Sequence, residues 1–165
     1  MSIATLCYLF DKKNKKILMG TKKYGGAKGL LNGFGGKIED SDKTISAAVV
    51  REFFEETTIK INKPKLRSIL SFHEKNKEMV TVYLYFSSSW NGQPKETKEM
   101  KVFWLPIDKI QVEKMWPSDQ LWFPIILKFE NTIIDVYFDK HSPFPKRFDV
   151  KFSQKLYEDL HKGKT

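Results

Sequence analysis

The sequence predicts an α/β or α+β sandwich in one domain. Three observations carry that reading. The 165 residues suit a single domain. Short runs rich in Val, Ile, Tyr and Phe are interspersed with two or three helical patterns. No internal repeat, low-complexity tract or Pro/Gly/Ser linker divides residues 1–165.

The elements follow in order. "IATLCYLF" and "KKILMG" predict two strands joined by the polar turn "DKKN". A glycine-rich loop runs from Gly25 to Gly36, and residues 44 to 57 predict a helix, capped by Thr44 or Ser41. "LRSILSF" and "MVTVYLYF" predict strands around the turn "HEKNKE". "NGQPKETKE" is a loop and "KVFWLP" a short strand. "PSDQLWFPIILKF" predicts a helix that Pro124 restarts at a first-turn position. "NTIIDVYFD" alternates as a strand does, and "DVKFSQKLYEDLHKG" predicts an amphipathic helix ending near Gly163.

Composition narrows the class. Hydrophobic residues make up 41% of the chain, enough for a core. No apolar run approaches the ~18 residues of a membrane span, so no membrane partner is expected. "MSIATLCYLF" has no basic region ahead of its apolar run, so no secretory leader is expected. Cys7 is the only cysteine, which excludes an internal disulfide. It reads as a buried core residue in a reducing, cytoplasmic setting. The net charge is +9, but the lysines are scattered rather than blocked. That fits a solvated surface better than a nucleic-acid face, so a monomer with no stable nucleic-acid partner is expected. His73, His141 and His161 lack metal-ligand spacing and read as surface or structural residues.

The chemistry concentrates in "GFGGKIEDSDKTISAAVVREFFEETTI", residues 33 to 59. On a helical wheel Ala47, Val50 and Phe54 fall together, flanked by Val49 and Phe53, and are expected to form the apolar face. Glu52, Glu55 and Glu56 form a separate stripe about 100° wide on the other side. Their i, i+3, i+4 spacing brings three carboxylates within reach of one point. Arg51, one turn before Glu55, can hold that carboxylate but not all three. A divalent cation with oxygen ligands, Mg²⁺ or Mn²⁺, can. The preceding "LLNGFGGK" lets backbone approach a ligand closely, and Lys37 adds a cation. Its spacing is neither a Walker loop nor a dinucleotide-binding fingerprint. Joined to the striped helix, it reads as a phosphate cradle beside a metal site.

At these residues the chain resembles the Nudix family, whose signature is G-x5-E-x7-R-E-U-x-E-E-x-G-U, with U bulky and aliphatic. Gly36, Arg51, Glu52, Glu55, Glu56 and Ile59 match, and Phe53 stands at the first U. The segment from Gly36 to Arg51 is one residue longer than the signature. Lys43 therefore falls at the first glutamate, leaving Asp42, Asp40 or Glu39 to supply that carboxylate. Thr58 replaces the late glycine. "GTKK", "NGFGGK", "GQPKETKEM" and "MWPSDQLWFP" are similar to the MutT-homologue branch over roughly residues 5 to 130. Residues 140–165 form an extension beyond the resemblance.

The resemblance implies an α/β/α sandwich with a mixed sheet and a loop-helix-loop catalytic motif. It implies Mg²⁺-dependent hydrolysis, Mn²⁺ being an alternative ion, of an oxidised purine nucleoside triphosphate such as 8-oxo-dGTP to monophosphate and pyrophosphate, which sanitises the nucleotide pool. The Gly35 carbonyl, Glu52, Glu55, Glu56 and Glu99 would hold the metal, with Arg51 completing the catalytic set. Glu52, Glu55 or Glu99 would take the proton from water. Thr5, Lys22, Asn32, Phe34, Gly35, Gly36 and Lys37 would line the nucleotide pocket. Trp116, Pro117, Ser118 and Asp119 would read the base. Chemistry agrees there: an indole offers a stacking face, and Asp and Asn offer hydrogen bonds to a base edge. Two other readings stay open. One is a Nudix hydrolase of ADP-ribose or capped RNA; the other is a nucleotide- or RNA-binding module without turnover.

Overall fold

A computed structural model describes residues 1–162. β1 (Ser2–Asp11) and β2 (Lys16–Lys22) form the expected hairpin. Asp11 closes it by accepting from the Asn14 backbone N–H at 3.1 Å and side-chain amide at 2.7 Å. After β3 (Leu31–Asn32) comes α1 (Ile45–Thr57). The Thr44 hydroxyl oxygen caps α1 by accepting from the Ala47 N–H at 3.0 Å. At its far end Thr58 takes the left-handed conformation, φ 64°, that the absent glycine would adopt most easily.

β4 (Lys60–Asn62) pairs with β7 (Ser89–Asn91) as a separate two-stranded sheet. Three residues are too few for alternation to reveal, and neither strand is legible in the sequence. β5 (Lys65–Glu74) and β6 (Lys77–Ser87) run further than "HEKNKE" suggested. Their turn is only Lys75–Asn76, both at positive φ, as a two-residue hairpin requires.

β8 (Met100–Pro106) pairs with β2, and β9 (Thr132–Phe138) runs parallel to β5. Between them α2 spans Pro117–Lys128 without interruption. Pro124 lies inside this helix rather than restarting it, and because proline has no N–H it leaves the Gln120 carbonyl without its helical donor.

The tail departs from expectation. Pro145–Phe152 is a strand, β10, antiparallel to β9, and only Gln154–His161 forms a helix, α3. Phe148, Val150 and Phe152 repeat every second residue, and β9 supplies the open edge that satisfies their backbone. The expected stop near Gly163 lies outside the described residues.

The main sheet has the order β10-β9-β5-β6-β1-β2-β3, with β8 also on β2. It is mixed: β1·β6 and β5·β9 are parallel and the other pairs antiparallel. Its two faces carry the two cores. Cys7 and Leu9 pack with Ile45, Val49 and Phe53 of α1 and with Tyr157 of α3. Tyr8, one residue along, packs with Trp122, Phe123 and Ile126 of α2 on the opposite face. The result is an α/β/α sandwich.

The buried face of α1 is not the one the wheel suggested. Ile45, Ala48, Val49, Phe53 and Glu56 are buried, whereas Phe54 is 53% exposed. The glutamates at 52 and 56 lie within the inward arc because the glycine loop sits there to receive them. Phe53→Ala is therefore expected to cost about 3–5 kcal/mol and Phe54→Ala less than about 1, read from urea unfolding.

Candidate active site

Gly35 and Gly36 are pressed onto β1. The Thr5 N–H donates to the Gly36 carbonyl at 2.8 Å, and Phe34 exchanges backbone bonds with Cys7 at 2.7 and 3.1 Å. A Cβ on Gly35 would fall 2.0 Å from the Thr5 carbonyl oxygen. A Cβ on Gly36 would fall 2.5 Å from the Glu52 carboxyl group. Glycine is required here by close approach, not by a positive φ.

Glu56 reaches into this contact. It is 5% exposed, and its Oε2 accepts from the Gly35 N–H at 3.1 Å. Burial pushes its pKa up to about 7. The Gly35 N–H and Lys22 act downward, and Glu52 and Glu99 act upward. Glu52 is also raised, mainly by burial, with Arg51 opposing.

Arg51 is the hub of the acidic stripe. Its Nε and Nη2 donate to the two Asp42 oxygens at 3.0 and 2.8 Å. Its Nη1 donates to Glu52 at 2.9 Å and lies 3.3 Å from Glu55 and 3.6 Å from Glu39. The extra residue before Arg51 thus leaves Asp42 to supply the missing carboxylate, with Glu39 nearby and Asp40 apart. The hydrogen bond from Arg51 holds Asp42 below the usual carboxylate range.

The loop after β7 joins the same edge. Lys95 N–H donates to the Thr57 carbonyl at 3.0 Å, and the Thr58 and Thr97 hydroxyls donate to Gln93 and Glu56 carbonyls at 3.1 and 3.3 Å. These bonds bring Glu99 to a cleft of about 400 Å³ lined with Lys22, Tyr24 and Lys98. Tyr24 and Lys98 were not singled out from sequence; their only signal is proximity to Lys22 and Glu99. A slightly larger cleft, about 460 Å³, opens elsewhere, beside Phe10, Arg67 and Phe86, and shares no lining residue with the site.

The other expected residues divide. Trp116 caps the start of α2, and its ring lies 3.9 Å from where a Gly26 Cβ would be. Pro117 is in the first turn, as are Ser118 and Asp119; the Ser118 hydroxyl donates to Asp119 Oδ1 at 3.0 Å. Burial raises Asp119 to about 6. Ser118 and the Trp122 indole oppose this, although Trp122 Nε1 has no hydrogen bond of ordinary geometry. The Asn32 amide donates to the Leu30 carbonyl at 2.9 Å.

Phe34 is fully buried, edge-on to Phe53 at 5.0 Å. The Thr5 side chain is buried against the Gly36 carbonyl. Lys37 is exposed, and its carbonyl serves Arg51. His73 is structural, 2.7 Å from Asp135 and stacked on Tyr137.

Among the described residues no three His, Cys, Asp or Glu side chains are gathered tightly enough to hold a metal ion. The expected ligands Gly35, Glu52, Glu55, Glu56 and Glu99 have separate partners in this structure. Glu52 and Glu55 bond Arg51, Glu56 bonds Gly35, and Glu99 lines the cleft. The donors themselves are oxygens of the kind a hard divalent cation prefers. The repulsion that helps raise Glu56 is the kind a cation relieves.

Known proteins are similar to this chain in sequence and in fold. A NUDIX domain model matches residues 2–124. The oxidized purine nucleoside triphosphate hydrolase of Danio rerio is 36% identical over 114 residues, covering 68% of this chain and 72% of that one. The Mus musculus protein of the same description is 32% identical over 115 residues, covering 69% and 73%. The MutT protein of Bacillus halodurans superposes with a TM-score of 0.75 at 20% identity, over 92% of this chain and 98% of that one.

Glu56 makes a stability prediction. Its raised pKa means that the folded state holds the proton more tightly than the unfolded chain does. That stability is complete below the ordinary value of 4.5 and is lost as pH rises through about 7. Glu56→Gln should remove the loss. In metal-free buffer the variant is expected to be more stable than the parent above pH 7, by on the order of 1–3 kcal/mol in urea unfolding, and to match it near pH 4.5.

Proposed function

This chain belongs to the Nudix hydrolase family, and we propose that within it the substrate is an oxidised purine nucleoside triphosphate, cleaved to the monophosphate and pyrophosphate. The family acts on nucleotide pyrophosphate anhydrides and generally uses divalent metal ions. The observation that carries the narrower reading is the corner formed by Trp116, Ser118 and the partly buried Asp119 at the start of α2. An indole stacks on a purine. Oxidation at C8 turns the purine N7 from an acceptor into an N–H donor. A carboxyl group with a pKa near 6 is ionised enough near neutral pH to accept from it.

The phosphate end follows from the other side of the site. Lys22 and Lys98 offset the charge of the phosphate chain in the cleft. Glu52, Glu56 and Glu99, with the Gly35 carbonyl and Glu55 at the rim, would hold a divalent cation. When bound, that ion offsets phosphate charge and lowers the pKa of a water. Arg51 keeps Glu52 and Glu55 in place. Glu52, Glu55 or Glu99 would take the proton from the attacking water; of these Glu99 lines the cleft and is not bound by Arg51.

The test is pyrophosphate release with Mg²⁺ from 8-oxo-dGTP, dGTP and ADP-ribose. Selective cleavage of the oxidised purine is expected, abolished by a chelator. Glu56→Gln should lower kcat by at least ~10²-fold. Cleavage of ADP-ribose alone would overturn the substrate, and undiminished turnover by the variant would remove Glu56 from the mechanism.

A further inference from the structure

The cleft beside Phe10, Arg67 and Phe86 belongs to no part of the site described above. Its volume is about 460 Å³, inside the range of about 300–1,000 Å³ that encloses small organic ligands. It lies at one end of β1, β5 and β6, beside the turns that follow β1 and β4. The charge there is one-sided. Lys12, Lys63, Lys65 and Arg67 share the wall with a single acid among the described residues, Glu130. The three lysines are exposed and, among the described residues, stand in no ion pair.

Arg67 is the fixed member of this set. β5 carries a bulge there: Leu66 pairs with Tyr85 and Ser68 with Leu84, which leaves Arg67 without a partner residue on β6. A bulge of this kind re-aims a side chain. Its Nε donates to the Ile126 carbonyl at 2.8 Å and its Nη2 to the Leu127 carbonyl at 3.3 Å. The guanidinium carbon lies 4.8 Å from the centre of the Phe86 ring. These contacts tie the end of α2 to the sheet and explain the arginine as a strut. They leave its third nitrogen and the lysines unexplained. Nη1 is turned to Glu130, 3.5 Å away, whose side chain is 74% exposed. Burial lowers the Arg67 pKa, with Glu130 and then Tyr157 opposing, so a further anion in the cleft would stabilise the charged form.

Apolar surface lies beside the cations. Phe10 and Phe86 both line the cleft, with ring centres 4.7 Å apart. The Ser87 hydroxyl is committed to the Asn62 carbonyl at 2.7 Å, while Ser88 on the same wall is exposed. We propose that this cleft is a second binding site, for an organic phosphate of about nucleotide size. Its phosphate would meet Lys63, Lys65 and Arg67, and its planar ring would lie against Phe10 and Phe86. An inorganic ion would fill only part of the volume and leave both rings unused. A strand of nucleic acid needs cations and stacking rings repeated along a groove, whereas here two rings serve one cleft. The inference does not depend on the purine triphosphate reading.

The probe is AMP, titrated into the full chain in EDTA and followed by backbone amide NMR. Saturable shifts are expected at Lys63, Lys65, Arg67 and Ser87 to Ser89. Replacing both exposed lysines, Lys63→Ala with Lys65→Ala, should raise the AMP Kd read at those amides at least ~10-fold, because charge-assisted hydrogen bonds are lost. Arg67 is kept because it also ties α2 to the sheet. Phe10→Leu retains the charges and should raise the same Kd at least ~5-fold through lost stacking. Inorganic phosphate, which has no ring, should bind these amides at least ~10-fold more weakly than AMP. Absence of saturable shifts at these amides, or equal binding of inorganic phosphate, would overturn the proposal. So would a single-stranded RNA oligomer that binds the same amides at least ~10-fold more tightly than AMP, which would make the cleft part of a nucleic-acid face.

Discussion

The site depends on one close approach of backbone to backbone. Gly35 lies so near β1 that a single added carbon would meet the Thr5 carbonyl oxygen at 2.0 Å. From that contact follow the bond from the Gly35 N–H to Glu56 and the room at Gly36 for the Glu52 carboxyl group. The two glycines therefore decide where the carboxylates of α1 can go. A helix that buries a glutamate among Val49 and Phe53 would otherwise be poorly stable, since a buried charge without a donor is costly.

Charge is managed in two ways around that contact. Arg51 gathers Asp42, Glu52 and Glu55 by direct hydrogen bonds. Glu56 is left to a backbone N–H and Lys22, and burial outweighs both, so its proton affinity rises. The stripe is thus not three equivalent carboxylates: one is restrained at the surface, one is half-buried beside the guanidinium, and one is enclosed.

β1 links the two helix layers of the sandwich. Its residues alternate between faces, so Thr5 meets the glycine loop under α1 while Tyr8 packs on Phe123 in the middle of α2. The glycine loop belongs to one helix layer and the Trp116–Asp119 corner to the other, and β1, an interior strand of the sheet, runs between the layers. The main sheet reaches through β9 and β10, so part of the C-terminal extension pairs into the same sheet that carries the site.

Much of this was legible beforehand. The strands of the first hairpin, α1 and its Thr44 cap, β8, α2 and the R-E-x-x-E-E spacing follow from local pattern, which is written within a few residues of itself. Other features were not. Phe34 belongs to the core and Phe54 to the surface, because the inward side of α1 was set by the glycine loop, not by where its apolar residues cluster. β10 is a strand because β9 offered it an edge. The enclosure of Glu56 and the packing of Tyr8 on Phe123 depend on contacts across 21 residues in one case and more than a hundred in the other. Sequence by itself determined which chemical groups this protein owns and at what local spacing. Only the tertiary structure decided which of them are buried, paired or left facing one another, because burial and hydrogen-bond partnership are properties of segments brought together from distant parts of the chain.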